Sequence, residues 1–450
     1  MEEKKENKMG TAPIGKLLVT MSLPTIFSML INSLYNVVDG IFVAKIGEKA
    51  LTAVSLALPL QFLIISFSVG TGIGINSLMS RKLGEKSYDE VNDAATHGFF
   101  LIAVNYLLFF ILGLLFIKPF FGMFTDDAEV FRQGVEYTSI VLLLSFGSIT
   151  SITCEKIIQA TGNMNYPMLF QLIGAVINII LDPILIFGKL GFPAMGVKGA
   201  AIATVAGQII SMIYALFIIN TKDFGFKLKL KNFRFKKEIL KQIYAVGLPS
   251  IVMQSISSFL TIALNSILIK FSDAAVAVFG IYSKLQSFVF MPIFGLNQGL
   301  MPLFGYNFGA KNKKRLMDTL KIGMGIAVSI MFVGTLGFWI FTEELLGMFS
   351  ATDIMIEVGV PALRVISSCF VLAGVGIISS TLFQAVGYGN LSLFVSLIRQ
   401  VIIILPLAYF GAKFFGVNAV WYAFPIAEGI AMIISVIMVI KIYEKRIKNM

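Results

Sequence analysis

The stretch GAVINIILDPILIFG, residues 174–188, is almost pure hydrocarbon, yet Asp182 stands in its middle with Pro183 directly after it. A carboxylate ionised there without a partner costs several kcal/mol. Only four carboxylates lie well inside long apolar blocks: Asp39, Asp182, Glu155 and Glu428. Asn178 lies one turn before Asp182, so both side chains leave one face of a helix. Pro183 removes a backbone donor and can free the carbonyl of Ile179. Tyr35 and Asn36 stand four and three residues before Asp39, on its face. Counted from the ends of their blocks, Asp39, Asp182 and Thr204 sit at similar depth. Two carboxylates, an amide and a hydroxyl at one depth make an all-oxygen cluster. Such a cluster suits a hard cation such as Na⁺. It suits a proton equally, because two close carboxylates in a medium of low dielectric hold one between them. Asp39, Asn178, Asp182 and Thr204 are thus the candidate cation ligands, with Tyr35 and Asn36 beside them, and H⁺ or Na⁺ is the expected coupling ion. No other cofactor is expected.

The elements that must position these residues are membrane helices. Of 450 residues, 57% are hydrophobic and only 14% charged, with mean hydropathy +0.86; a soluble domain carries roughly 25% charge. Twelve apolar blocks are long enough to cross a bilayer, which takes about 20 residues each: 17–43, 51–78, 97–118, 133–158, 166–188, 197–219, 243–269, 275–303, 321–342, 356–382, 391–411 and 416–441. None shows the short alternating segments of a membrane β-barrel. The opening residues are polar without a cleavable signal pattern, so the first block is expected to be a retained helix.

With the N-terminus inside, 24 of the 36 Lys and Arg fall on inner segments and eight on outer loops. That bias places both termini in the cytoplasm and assigns the net charge of +11 to topology and lipid head groups rather than nucleic acid. Cys154 and Cys369 both lie inside spans, which excludes a disulfide framework; with the single His97 they are too few for a zinc site. No nucleophile–base or metal constellation points to an enzyme.

The chain is a duplication. SLPTIFSMLINSLYNVVDG from Ser22 aligns with GLPSIVMQSISSFLTIALN from Gly247 at a shift of 225. The same shift carries Pro24 onto Pro249, Gly70 and Gly74 onto Gly295 and Gly299, Gly84 onto Gly309, and QATGNMN (159–165) onto QAVGYGN (384–390). After a short indel, GVKGA meets GVNAV at a shift of 220. The expected domains are an N-lobe over 1–220, a basic cytoplasmic linker over 221–242 and a C-lobe over 243–450. Six spans per half make the repeats parallel, related by an axis along the membrane normal, as in transporters that bind cargo between halves. Under this register Asp39 becomes Leu264 and Asp182 becomes Leu407, so the cation cluster is one-sided.

Three other features have bland and sharper readings. Glu428 forms an ion pair, with Lys284 or Arg364 nearest in depth, or else a charged wall of a substrate cavity; Lys284, Gln254 and Met253 are the other cavity candidates. Glu155, beside Lys156, is expected to pair at the membrane interface. VGTGIGIN (69–76) resembles a dinucleotide loop only superficially: no strand precedes it, and close helix packing explains its small residues better. His97 carries no assigned role. Pro24 and Pro249 are either static kinks or points where the helix bends.

These residues resemble the multidrug and toxic compound extrusion family, particularly its bacterial drug exporters. The carriers are SLPTIFSMLINSLYNVVDGIFVAKIG, QATGN, NIILDPILIFG and GVKGAAIAT. The resemblance implies an all-α membrane protein of twelve spans in two parallel six-helix lobes, exporting cationic, often aromatic drugs in exchange for H⁺ or Na⁺. It implies that Asp39, Asn178 and Asp182, with Thr204, hold the coupling cation and that Pro24 marks a bend. Members that couple through the second lobe carry acids in helices 7 and 10. Here helix 7 offers Gln254, and Asp353 and Glu357 sit at the outer mouth of helix 10. The expectation is therefore a multidrug antiporter of a bacterial inner membrane, acting as a monomer on small organic cations. A lipid or lipid-linked precursor flippase is the alternative.

Overall fold

The computed structural model describes residues 7–229, 231, 233–349 and 351–450. Among them every regular element is a helix. Ten helices are long and apolar enough to cross a membrane, and twelve result if each of two bent pairs counts as one span. Helices are the expected solution, because a chain in lipid must satisfy every backbone polar group within itself.

A short helix α1 (Lys8–Thr11) precedes the spans α2 (Ile14–Ala44), α3 (Glu48–Gly84) and α4 (Tyr88–Phe124). The fourth span is the pair α5 (Ala128–Leu143) and α6 (Phe146–Ala160), bent by 45°. Asp127 starts that pair, its Oδ1 accepting from the backbone N–H of Glu129 and Val130. Then come α7 (Asn165–Phe187) and α8 (Val197–Thr221). The second half follows with α9 (Lys237–Leu268), α10 (Asp273–Gly309) and α11 (Lys313–Ile340). A six-residue helix α12 (Thr342–Gly347) leads to the bent pair α13 (Asp353–Ser367) and α14 (Phe370–Ala385). The eleventh span comprises α15 (Gly389–Leu397), a π-helical stretch Ile398–Ile404 and α16 (Leu405–Phe415); α17 (Asn418–Ile442) is the last.

The duplication is written into the backbone. The two bent spans break at Leu144 and Cys369, 225 residues apart, with nearly equal angles of 45° and 44°. Lys86 and Lys311, the same distance apart, both have left-handed φ (57° and 52°), as do Gly162 and Gly387. Gly196 and Gly416 keep the shift of 220 and are again left-handed.

The chain divides into two compact units. One comprises Phe27–Met79 and Ser87–Gly247; the other comprises the residues up to Ile26, Ser80–Lys86 and Leu248–Met450. These do not follow the sequence halves everywhere. The basic linker and the start of α9 pack with the first-half spans, whereas the start of α2 packs with the second-half spans. Both crossings fall within three residues of the repeat-related Pro24 and Pro249. No charged residue lies at either crossing to mark the change in the sequence.

Inside the first unit the linker is strapped to the start of α4. Its backbone N–H groups at Lys227, Lys229 and Lys236 donate to Asn92, Thr96 and His97 Nε2. His97 is thereby a buried structural residue, its Nδ1 set against the Asp93 carbonyl. Gly72 and Gly74 of the VGTGIGIN stretch lie within α3, where a Cβ would strike Lys156 Cγ at 2.5 Å and the Ile243 carbonyl at 2.2 Å respectively. Small residues there serve close helix packing.

Candidate functional site

Five residues, two each on α2 and α7 and one on α8, with support from α3 and α5, build the candidate site, all within the first unit. Glycines hold α7 against α8. A Cβ on Gly207 would come within 2.6 Å of the Gly174 carbonyl, and one on Gly199 within 2.5 Å of the Leu185 carbonyl. Clamped at both levels, the helices bring Asn178 to Thr204: Asn178 Nδ2 donates to Thr204 Oγ1 at 3.2 Å and makes a longer contact with Asp182 Oδ1 at 3.4 Å. α7 runs through Pro183 to Phe187 without a break. Asp182 is fully buried and Asn178 nearly so.

From α2, Asp39 brings its carboxyl within hydrogen-bonding reach of Asp182. Tyr35, one turn earlier, turns its hydroxyl toward Thr204 and interacts with both aspartates. The structure thus brings together Asp39, Asn178, Asp182, Thr204 and Tyr35. Asn36 stands apart. It is exposed and donates to Asn32 Oδ1 at 3.0 Å. The reason is azimuth: Tyr35 and Asn36 flank Asp39 on opposite sides of its face, about 40° and 60° away at 3.6 residues per turn, and only the Tyr35 flank turns inward.

Two members of the cluster carry no signal in the reading of spans alone. Tyr137 of α5 is buried beside Asp39, Asp182 and Tyr35. Gln61 of α3 donates to the Tyr137 hydroxyl at 2.9 Å. Tyr137 stands four residues into its 133–158 block, close to the depth of Asp39, but depth alone does not single it out from other tyrosines in spans.

The polarity of the cluster is lopsided. Asp39 Oδ1, Asn178 Oδ1 and Asp182 Oδ2 are buried oxygens with no donor among the described residues. No Lys, Arg or His there forms an ion pair with either aspartate. A cluster with three such acceptor oxygens left without a donor can bind a proton, or a small cation through oxygen ligands.

In the second unit, Glu428 is paired with Arg399 at 2.9 Å, not with Lys284 or Arg364. Lys284 lies over the Phe349 ring, 5.8 Å from its centroid, and Arg364 Nε donates to Thr342 Oγ1 at 3.2 Å. Arg399 lies in the π-helical stretch, whose extra residue per turn shifts its side chain from the straight-helix position. Tyr282 and Cys369 also face the pair. Gln254 Nε2 turns back to the Ser250 carbonyl at 3.4 Å, and Met253 is half-buried. Glu155 does pair with Lys156, at 3.0 Å, and both side chains are buried. Gln159 and Gln171 complete that network, each donating to Glu155 at 2.9 Å.

A duplicated bundle of span-length apolar helices, with two carboxylates in contact inside it, has the build of a membrane transporter. The MatE family profile matches residues 24–184 and 249–410, one match per half. The chain belongs to this family of transporters and is not an enzyme. It is 25% identical over 434 residues to the multidrug export protein MepA of Staphylococcus aureus, covering 95% of this chain and 94% of that one. Similarity to an FAD transporter of Shewanella oneidensis is also 25%, over 431 residues and 92% of that protein. Among solved structures, an outward-facing multidrug resistance MATE transporter of the MOP superfamily superposes with TM-score 0.92 at 27% identity, over the full length of both chains.

Proposed function

We propose that this protein is an antiporter that exports organic cations in exchange for H⁺ or Na⁺, using Asp39 and Asp182 as the coupling pair. The observation that carries the reading is the buried contact between these two carboxyls, with three orphaned acceptor oxygens and no cationic side chain to neutralise them. The multidrug export named for its Staphylococcus relative supports the choice of cargo. Cation binding lowers affinity for cargo and favours the inward-open state; cargo then binds from inside, and the cycle repeats. Coupling needs only that the two ligands compete or prefer different states. Pro24 and the alternation of α2 between the two units support a bend in that helix during the cycle. The Lys and Arg bias supports a bacterial inner membrane with both termini in the cytoplasm, and a monomer suffices for the cycle.

An anionic-lipid flippase would draw on Lys284, Arg364 and Arg399. Arg399 is tied to Glu428 and Arg364 to Thr342, which weighs against it. The experiment is ethidium transport in proteoliposomes with a pH gradient and a Na⁺ gradient imposed separately. One gradient is expected to drive transport and the other not, and FAD is expected not to compete. Transport indifferent to both gradients sinks the proposal.

The site also distinguishes neighbours. Tyr35→Phe is expected to weaken cation-induced ethidium release by about fivefold, the worth of one hydrogen bond near 1 kcal/mol. Asn36→Ala should stay near wild type. Titrating bound ethidium fluorescence with acid or Na⁺ reads both.

A further inference from the structure

A polar seam leads away from the candidate site along α6, α7 and α8. Thr204, Gln208 and Ser211 lie at i, i+4 and i+7 on α8, one face of the helix. Ser211 Oγ lies 2.8 Å from Ser151 Oγ on α6 and 2.8 Å from the Phe170 carbonyl on α7. One residue on, Gln171 donates to Glu155, which also accepts from Lys156 and Gln159. Asn76 Nδ2 donates to the Lys156 carbonyl at 3.2 Å. Asp182 and Gln171 are eleven residues apart on α7, about 16 Å at 1.5 Å per residue.

The unsatisfied atoms along this seam share one chemistry. Asp182 Oδ2, Asn178 Oδ1, Gln208 Oε1 and Asn76 Oδ1 are buried acceptors without a donor among the described residues. A structural network would satisfy its members, because an orphaned buried acceptor costs its desolvation. Acceptors at successive depths call for water or a cation passing between them, and the serine and threonine hydroxyls can donate and accept in turn.

The second half is an internal control. By the repeat register, Thr204 becomes Phe424, Gln208 becomes Glu428, Ser211 becomes Ala431 and Asn178 becomes Ile403. Three of these four positions are apolar there, and the fourth, an acid, is closed by Arg399.

We infer that the coupling cation released from Asp39 and Asp182 leaves through this seam, past Gln208 and the Ser151–Ser211 pair to the Glu155 network, at the end of the bundle where α7 begins and α8 ends. The inference rests on the coupling role of the aspartates. Gln208 is the narrow point: Gly174 and Gly207 bring the α7 and α8 backbones together at its level, leaving no room between the helices themselves.

The test uses the full chain in detergent and in proteoliposomes loaded with a pH dye or, in a second arm, a Na⁺ dye. In Gln208→Leu, equilibrium ethidium binding and its displacement by acid or Na⁺ should stay within twofold of wild type. Ethidium transport and delivery of the cation to the lumen should fall together by at least tenfold. Gln208→Asn, which keeps the carbonyl, should recover to within threefold. Wild-type transport in Gln208→Leu overturns the route while leaving the coupling site intact. Loss of equilibrium binding in Gln208→Leu also overturns it, because the residue would then serve the cargo or the fold. Cation-sensitive ethidium binding retained in Asp182→Asn overturns the coupling site and the route with it.

Discussion

Asp182→Asn should lower cation-driven ethidium export by about 100-fold, near the upper range of coupling energies between two ligands, while the protein inserts and folds as before. The amide is nearly isosteric with the carboxyl, and it keeps an oxygen opposite Asn178 Nδ2. What changes is the other atom. Asp182 Oδ2 is a buried acceptor with no donor, and in the variant an NH₂ group takes its place and can donate to Asp39. The pair then carries one fixed negative charge already satisfied by hydrogen bonding, so neither a proton nor Na⁺ has a reason to bind. Removing one of two adjacent acids also relieves their repulsion, and thermal stability should hold or rise. Asp39→Asn should behave alike, by the same exchange of an acceptor for a donor. Leu264→Asp, at the repeat-related position, should restore nothing: Leu264 is buried, and its partner position Leu407 offers no second oxygen. Transport in proteoliposomes, normalised to protein that elutes as a single species in detergent, gives the measurement. Export at wild-type rate in either Asn variant would remove the aspartates from the mechanism.

That cluster was legible in the sequence because depth was legible. Counting residues from the ends of apolar blocks gives position along the membrane normal to within a turn, and Asp39, Asp182, Asn178 and Thr204 share a level. Azimuth was not legible. A soluble helix shows which face is buried through its polar stripe, but both the lipid face and the core face of these spans are apolar. Asn36 therefore looked as good a neighbour as Tyr35, and Tyr137 could not be told from any tyrosine in a span. Glu428 shows the same limit from the other side. Its partner Arg399 depends on the π-helical stretch, and nothing in IRQVIII separates that winding from an ordinary α-helix. The repeat was legible from its prolines and glycines, and the backbone extends it to left-handed φ at Lys86 and Lys311, which no residue type there announced. The alternation of α2 and α9 between units was not, because contacts between residues far apart in sequence decide it, such as Gly74 with Ile243 and Thr25 with Gly295.

Gly309→Val should cost the protein its fold. Here α10 meets the end of α3 within the second unit with no side chain between them. A Cβ on Gly309 would sit 2.0 Å from the Arg81 carbonyl, and one on Gly84 would sit 2.0 Å from the Tyr306 carbonyl. The two contacts are one contact seen twice, since Gly309 and Tyr306 are the repeat partners of Gly84 and Arg81. Both obstacles are helix backbone, which no rotamer change can move aside. Overpacking a core costs about 1–3 kcal/mol when side chains can adjust, and more is expected here. The crossing also positions Arg81, buried with its Nη1 donating to the Ala385 carbonyl at the end of α14. Separating α3 from α10 would strip that carbonyl of its partner and leave a charge in the interior. Gly309→Ala should already lower the melting temperature in detergent by several degrees, and Gly309→Val should yield little or no monodisperse protein. Gly325→Ala is the control: its Cβ would meet nothing within 4 Å, so helix propensity alone predicts a gain of up to about 1 kcal/mol. If Gly309→Val melted with the wild type, the helices would have to cross farther apart than described, and Arg81 would need another explanation for its burial.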